Sequence, residues 1–226
     1  GIRDRLRSRG LGDVYKTQRI WHDAQFIKIN GSASPDPLDM ITLDLAGVDL
    51  QYVFDVLNIN YVNFGGMATG RVTASDVFTK RPVLRTERLA VDNLAYNGAV
   101  LGDAELESHW DVDEKMVAIN ADIVEDASSS AKVRGGVYVT RDSLSFDFYT
   151  NHTNIECLQP FMSGFTSRVK GRASGHLKLY GTFSDVDLGG RVHADTISLL
   201  VDQTNVVYSA SDSVFFTPGR LSLIHI

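Results

Sequence analysis

The chain has 226 residues, of which 43% are hydrophobic, and its 22 basic and 28 acidic side chains give a formal net charge of −6. This composition is typical of a folded protein and excludes a disordered chain. The acidic balance, without any basic cluster, argues against nucleic acid as a partner, because phosphate contacts need grouped Lys and Arg side chains.

The two ends of the chain differ from the rest of the sequence. Residues 1–10 are basic and unpatterned, and residues 13–18 and 221–226 resemble translated sequencing-adaptor DNA. We therefore interpret 1–18 and 221–226 as non-native segments and the remainder as an internal fragment of a longer protein. No run of about 18 apolar residues predicts a transmembrane helix, and no signal peptide is evident.

The first elements are predicted from short patterns. Residues 19–37 are predicted to hold a partial strand, from about Ala24 to Asn30, and then a loop that is rich in turn formers. A strand follows from about Met40 to Leu45. The segment Val48 to Leu57 has apolar residues at helical spacing behind Asp49, which predicts a short amphipathic helix with Asp49 as its cap.

From Tyr61 onward, apolar and polar residues alternate. In the segment Asp103 to Trp110, Ala104, Leu106 and Trp110 share one face and the acidic residues share the other, as the two-residue period of a strand requires. We predict about ten strands between Tyr61 and Arg220, joined by polar turns. The predicted fold class is therefore mainly β. The apolar residues predicted to line one face are Ala104, Leu106, Trp110, Val117, Ile119, Leu144, Phe146, Phe148, Leu177 and Leu179.

An internal repeat appears when the chain is shifted on itself by 105 residues (171 − 66). The segment Gly66 to Gly70 then falls on Gly171 to Gly175, and the predicted helix falls on residues 155–162. We predict a first helix-plus-meander unit at 38–145 and a second, incomplete unit at 146–220. The alternative is that these are turn glycines of an ordinary β-sandwich.

Residues that could carry chemistry do not converge. The six His residues lack metal-ligand spacing, and Asp185 and Asp187, like the acidic turn 111–114, are interpreted as solvated charges. Ser163 and Gly164 stand in a helix-ending context, and no phosphate-binding glycine motif occurs. The single cysteine, Cys157, is predicted to be a small buried hydrophobe. We therefore predict no enzyme activity, no catalytic residue, no metal site and no cofactor.

Several weak motifs together carry a family resemblance. They are residues 64–72 (FGGMATGRV), 96–104 (YNGAVLGDA), 108–111 (SHWD), 171–175 (GRASG), 177–183 (LKLYGTF) and 207–219. Through these, residues 38–220 resemble the TamB family, the inner-membrane-anchored component of the translocation and assembly module, and most nearly its large Bacteroidetes members.

The resemblance implies an elongated antiparallel sheet that curls into a U-shaped apolar groove (a β-taco) with two short helices. It also implies a location in the periplasm, with an inner-membrane anchor in the full-length protein. Phospholipid acyl chains would be the ligand, and a BamA/TamA-like outer-membrane barrel would be a partner through parts that this fragment lacks. The function so implied is a segment of a bridge that conducts phospholipid between the two membranes and supports outer-membrane assembly.

Two alternatives stay open. The first is a scaffold that templates outer-membrane barrel proteins, or supports autotransporter secretion, by strand addition along its edge. The second is a secreted β-sandwich that binds glycans, in which the aromatic side chains could stack on sugars: Trp110, Tyr138, Phe146, Phe148 and Tyr149.

Overall fold

The structure, a computed structural model, describes residues 18–22, 25–32, 39–56, 63–77, 83–162, 166–217 and 220–223. In this part of the chain, fourteen strands form one antiparallel sheet that does not close on itself. The strands are β1 Gln18–His22, β2 Gln25–Gly31, β3 Met40–Asp49, β4 Phe64–Ser75, β5 Val83–Tyr96, β6 Ala99–Asp111, β7 Met116–Val124, β8 Ser130–Tyr138, β9 Ser143–Asn154, β10 Thr166–Thr182, β11 Asp185–Val201, β12 Val206–Ala210, β13 Ser213–Thr217 and β14 Arg220–Leu223.

The strands follow one another in the sheet in chain order as far as β11. Strands β12 and β13 then both pair with β11, β12 with its last residues and β13 with residues 190–193 in its middle, and β14 pairs with β13. This arrangement confirms the prediction of a mainly β protein, and β4 to β13 are the ten strands expected between Tyr61 and Arg220. The sheet order does not establish the U-shaped groove, which stays a prediction.

Alternation along each strand explains why these residues form a sheet. In β6, Ala104 is buried and Leu106 and Trp110 are half-buried, whereas Asp103, Glu105, Glu107 and His109 are exposed. One side of the sheet is therefore apolar and the other is polar, as the sequence predicted. We call these two sides the apolar face and the polar face.

Two short helices interrupt the sheet, α1 at Leu50–Val56 and the 3₁₀ helix η1 at Glu156–Met162. They follow β3 and β9, which run in the same direction, so both lie at one edge of the sheet. We call this the helix edge. The opposite edge, where the β6–β7, β8–β9 and β10–β11 turns lie, is the turn edge.

The predicted helix differs from α1 at its start. Val48 belongs to β3, where it is buried and pairs with Ala68, so helical geometry begins only at Leu50. Asp49 is the cap that the sequence predicted, because its carboxylate oxygen accepts a hydrogen bond of 2.9 Å from the Gln51 backbone N–H. Other predictions lie outside the described residues: Leu57, most of the loop at 30–37, Ser163 with Gly164, and residues 1–17 and 224–226.

The sheet contains the same series of elements twice: three strands, a helix and three strands. Strands β1–β3, α1 and β4–β6 form unit 1. Unit 2 consists of β7–β9, η1, β10, β11 and a third strand that is split into β12 and β13, which both pair with β11 as β6 pairs with β5. The match extends to single residues, because Asn154 caps η1 by accepting a 2.9 Å hydrogen bond from the Glu156 N–H, 105 residues after the Asp49 cap. The predicted boundaries at 38, 146 and 220 stay predictions.

The paired glycines adopt the same backbone conformation in both units. Gly66 and Gly171 have φ values of +126° and +127°, and Gly70 and Gly175 have values of +148° and +154°. Register shifts accompany them in both units. These glycines therefore lie at irregularities of the strand pairing and also where a neighbouring strand approaches closely, since a methyl group on Gly171 would lie 2.1 Å from the Thr196 carbonyl oxygen.

Two groups of buried apolar side chains lie on the apolar face, one under α1 and one under η1. The sheet is also strongly bent at the helix edge. Strand β6 approaches both β9 and η1 with Cα atoms within 8 Å, although three strand spacings in a flat sheet amount to about 14 Å. The bend brings β6, β9 and η1 close together at this edge.

Candidate apolar site

A row of apolar residues crosses the sheet from β2 to β13 on the apolar face. Its members face one another in register in eleven successive strands, without a polar side chain: Ile27, Leu45, Gly70, Leu89, Leu106, Ala121, Val133, Phe148, Leu177, Gly190 and Phe216. We call this the central row. Ten strand spacings make its length about 48 Å along the sheet.

Burial changes from one side of the central row to the other. Toward the helix edge, the next row contains Val91, Ala104, Ile123 and Ala131, which are small or branched and all buried. Toward the turn edge, the next row is buried in β3 and β4, at Leu43 and Val72, but its apolar members from β7 to β11 are only half-buried: Ile119, Phe146, Leu179 and Leu188. From β7 to β11, the apolar face is thus more buried toward the helix edge than toward the turn edge.

All ten predicted lining residues lie on this apolar face. The strand register brings them into adjacent rows, with Trp110 opposite Val117, Phe146 opposite Leu179 and Phe148 opposite Leu177. Ala104, Val117 and Leu177 are buried, and the other seven are half-buried: Leu106, Trp110, Ile119, Leu144, Phe146, Phe148 and Leu179. Whether they contact a ligand stays a prediction.

Sequence reasoning missed several members of the same surface. Ile27, Leu89, Leu188 and Phe216 face the apolar side in strands whose alternation is interrupted by register shifts or by a neighbouring apolar pair. The two-residue period is the signal that could have found them, but a single bulge reverses the assignment of faces downstream.

A cluster of hydrogen-bonded polar side chains lies at the helix edge, beside η1. The Arg172 guanidinium donates two hydrogen bonds of 2.8 Å to the two carboxylate oxygens of Glu125, one of 3.0 Å to Ser129 Oγ and one of 2.8 Å to the His152 carbonyl oxygen. Ser129 is fully buried. The hydrogen bonds to Glu125 raise the pKa of Arg172, so this cation is fixed. The cluster ties the β7–β8 turn to β9 and β10.

The polar face carries cross-strand ion pairs. Arg71 pairs with Asp44 at 2.6 Å and Arg134 with Asp122 at 2.7 Å, and Arg88 also pairs with Glu105. A depression of about 320 Å³ lies on this face, lined by the last two pairs and their neighbours. Because its charges already neutralise one another, we assign it no ligand.

The cavity under η1 is too small to be the ligand site. It has a volume of about 20 Å³ and is lined only by apolar side chains, among them Ile155, Leu158 and Phe216. It is a packing gap with room for about one water-sized probe, far too small for an alkyl chain. The candidate site is therefore the open part of the apolar face and not an enclosed pocket.

The residues that could suggest chemistry have structural partners instead. Asp111 accepts hydrogen bonds from the N–H groups of Asp113 and Glu114, which is the role of a turn residue. Burial raises the pKa of the Cys157 thiol to about 11. Among the described residues, no group of three His, Cys, Asp or Glu side chains could hold a metal ion. Neither helix in that part of the chain is long and apolar enough to cross a membrane.

No protein-family model matches the chain, and no curated protein or solved structure matches it either. The class that fold and site define is thus an open antiparallel β-sheet protein with one continuous apolar face. The TamB resemblance stays a prediction drawn from the sequence motifs.

Proposed function

We propose that the apolar face is a track for lipid acyl chains, in a segment of a periplasm-spanning bridge that conducts phospholipid between the inner and outer membranes. The observation that carries the proposal is the central row, together with the half-buried side chains beside it at the turn edge. Each CH₂ group that leaves water contributes roughly 0.8 kcal/mol, so such a surface favours alkyl chains.

The geometry also suits movement along the track. The central row contains no polar side chain, so an acyl chain that shifts by one strand exchanges one apolar contact for another. Gly70 and Gly190 leave the row without a side chain at two points, and the cavity under η1, about 20 Å³, is too small to trap a chain. In the proposed U-shaped arrangement, the turn edge is the open mouth and the helix edge is the floor.

The described residues form one hydrogen-bonded sheet, whereas a glycan-binding sandwich has two facing sheets. This observation favours the lipid track over the sandwich alternative.

Protection of a lipid-borne fluorophore tests the proposal. The protein is incubated with vesicles of phosphatidylcholine that contain a phospholipid with a nitrobenzoxadiazole group on one acyl chain, and dithionite is then added to quench exposed fluorophores. We expect the protein fraction, separated from the vesicles, to carry protected fluorescence. Phe146→Asp and Leu106→Asp should remove it, because a carboxylate on the apolar face disfavours alkyl contacts.

Tyr149→Asp is the matched control, because Tyr149 lies in the same strand as Phe146 but on the polar face and is half exposed. Circular dichroism verifies that all three variants keep their sheet. If the unaltered protein carries no protected fluorophore, or if Tyr149→Asp abolishes protection as fully as Phe146→Asp does, the proposal is wrong.

A further inference from the structure

On the polar face, one row of side chains changes its chemistry along the sheet. From β6 to β13 its members face one another in register: Glu105, Asp122, Lys132, Tyr149, His176, Arg191 and Phe215. The first two are acidic, whereas the members from β8 onward include no carboxylate. We call the part from Lys132 to Phe215 the cation–aromatic row. It crosses four strand spacings, about 19 Å.

The equivalent positions in unit 1 carry an ion pair. A shift of 105 residues places Tyr149 on Asp44 (149 − 105 = 44). The same shift places His176 on Arg71 (176 − 105 = 71), and Arg71 binds the Asp44 carboxylate at 2.6 Å. In unit 2 the two positions instead hold stacked rings, with centroids 4.8 Å apart and planes at 21°. Where unit 1 neutralises its own charges, unit 2 therefore presents aromatic surface, and Tyr149 is 51% exposed.

The two cations of the cation–aromatic row have no counter-charge of their own. Lys132 and Arg191 are exposed, and neither forms an ion pair with a residue that the structure describes. The carboxylate opposite Lys132 is that of Asp122, which binds Arg134 at 2.7 Å instead. The Arg191 guanidinium lies over the Phe215 ring, 5.0 Å from its centroid. Such a contact orients a cation without neutralising it.

We propose that the cation–aromatic row binds a polysaccharide that carries carboxylate groups. Lys132 and Arg191 donate hydrogen bonds to the carboxylates, and the C–H groups of the sugar rings pack on the exposed ring of Tyr149. The stacking of Tyr149 on His176 holds both rings in place before the ligand arrives, which lowers the entropy cost of binding. The row lies on the side of the sheet opposite the lipid track, so the two sites are independent.

The spacing of the charges favours a polysaccharide over a single-stranded nucleic acid. Lys132 and Arg191 are three strand spacings apart, about 14 Å, whereas a nucleic acid strand carries a phosphate on every nucleotide and is bound by grouped cations. Between them, His176 lies 2.7 Å from the Asp147 carboxylate. This carboxylate repels a phosphate but accepts hydrogen bonds from sugar hydroxyl groups. The row therefore fits a polymer whose charges are separated by neutral sugars.

The acidic residues beside the row limit the length of the bound chain. Asp122 and Glu105 continue the row on β7 and β6 and repel a carboxylate there. A bound polysaccharide therefore lies across β8 to β13 and covers only a few sugar rings. Binding is expected to be weak and to weaken further as salt is added, because the charges involved are exposed.

Isothermal titration calorimetry with hyaluronan, which carries a carboxylate on every second sugar, tests the proposal. At pH 7 and low ionic strength, we expect the protein to bind a hyaluronan decasaccharide and not an uncharged dextran of equal length. Lys132→Gln and Arg191→Gln should each weaken binding by roughly tenfold, because each removes a charge-assisted hydrogen bond. Arg71→Gln is the matched control: it removes one exposed cation from the polar face of unit 1, where Asp44 already binds it.

Four outcomes overturn the proposal. Three of them are a protein that binds no hyaluronan, dextran that binds equally well, and an Arg71→Gln variant that loses as much affinity as Arg191→Gln. The fourth is an oligothymidylate with the same number of charges that binds more tightly than hyaluronan, which would assign the row to nucleic acid. Circular dichroism verifies that each variant keeps its sheet.

Discussion

At the scale of single residues, the glycines with positive φ are the positions where the backbone conformation requires glycine. Gly171 has a φ of +127° and faces the Thr196 carbonyl, so a Cβ atom there meets both backbone strain and a steric clash. The sequence showed these glycines as a motif. It did not show their conformation, which depends on the strand that lies opposite.

We expect Gly171→Ala to lower the free energy of unfolding by roughly 1–3 kcal/mol, the cost of one strained backbone position. Gly189→Ala is the control, because a methyl group there meets nothing closer than 3.5 Å, at the Tyr180 ring. Urea denaturation of both variants makes the comparison. Equal losses of stability would contradict the assignment of strain to Gly171.

The Cys157 thiol gives a second residue-scale prediction. Burial raises its pKa from 9.0 to about 11, and two pKa units lower the thiolate fraction at pH 8 about a hundredfold. Alkylation by iodoacetamide at pH 8 should therefore be slow in the folded protein and fast in urea. Because a thiol with a raised pKa stays neutral until the folded-state value is reached, the rate should rise as the pH approaches 11. Rapid alkylation of the folded protein at pH 8 would show that the thiol is accessible.

At the scale of elements, the alternation of Asp103 to Trp110 was sufficient to predict β6 and its faces, because each residue there is oriented by the two-residue period alone. The start of α1 was not predictable in this way. Val48 fits both the helical pattern and a buried strand position. Only its pairing with Ala68 in the sheet assigns it to β3. The central row was likewise hidden, because it joins residues up to 189 positions apart (216 − 27) through ten separate registers.

The small residues beneath the helices lead to a prediction at this scale. Ala68 and Ala173 are 0% and 1% exposed and occupy the same place in the two units. A larger side chain would push the helix away from the sheet, so we expect Ala173→Leu to cost roughly 1–3 kcal/mol of unfolding free energy. Ala90→Leu, on the polar face of β5, should be nearly neutral. Thermal unfolding followed by circular dichroism distinguishes the two.

At the scale of the whole molecule, the sheet is quasi-one-dimensional, because each strand is hydrogen-bonded only to its neighbours. The shift of 105 residues predicted a repeat from the helix and the glycine segment alone. The sequence pointed to the helix and the strands after it, whereas the structure shows that three strands before each helix also recur. Those strands carry no glycine motif, so only their position in the sheet identifies them.

Hydrogen exchange should reflect this arrangement. Strands β7 and β8 have partners on both sides, and β12 pairs with β11 alone among the described strands. We expect the backbone amides of Val206–Ala210 to exchange with deuterium much faster than those of Met116–Val124, as measured by mass spectrometry of peptides. Equal protection of the two segments in dilute protein would mean that β12 is covered by chain that pairs with it.

The central row runs across the strands and not along them, so its length depends on the number of strands. Longer strands would make the apolar surface wider but not longer, whereas each added hairpin would increase its length by about 10 Å. If the chain forms the proposed bridge, the distance that it spans is set by the number of strands, and such a bridge could match a wider or narrower gap by gaining or losing whole hairpins while every existing side chain kept its place.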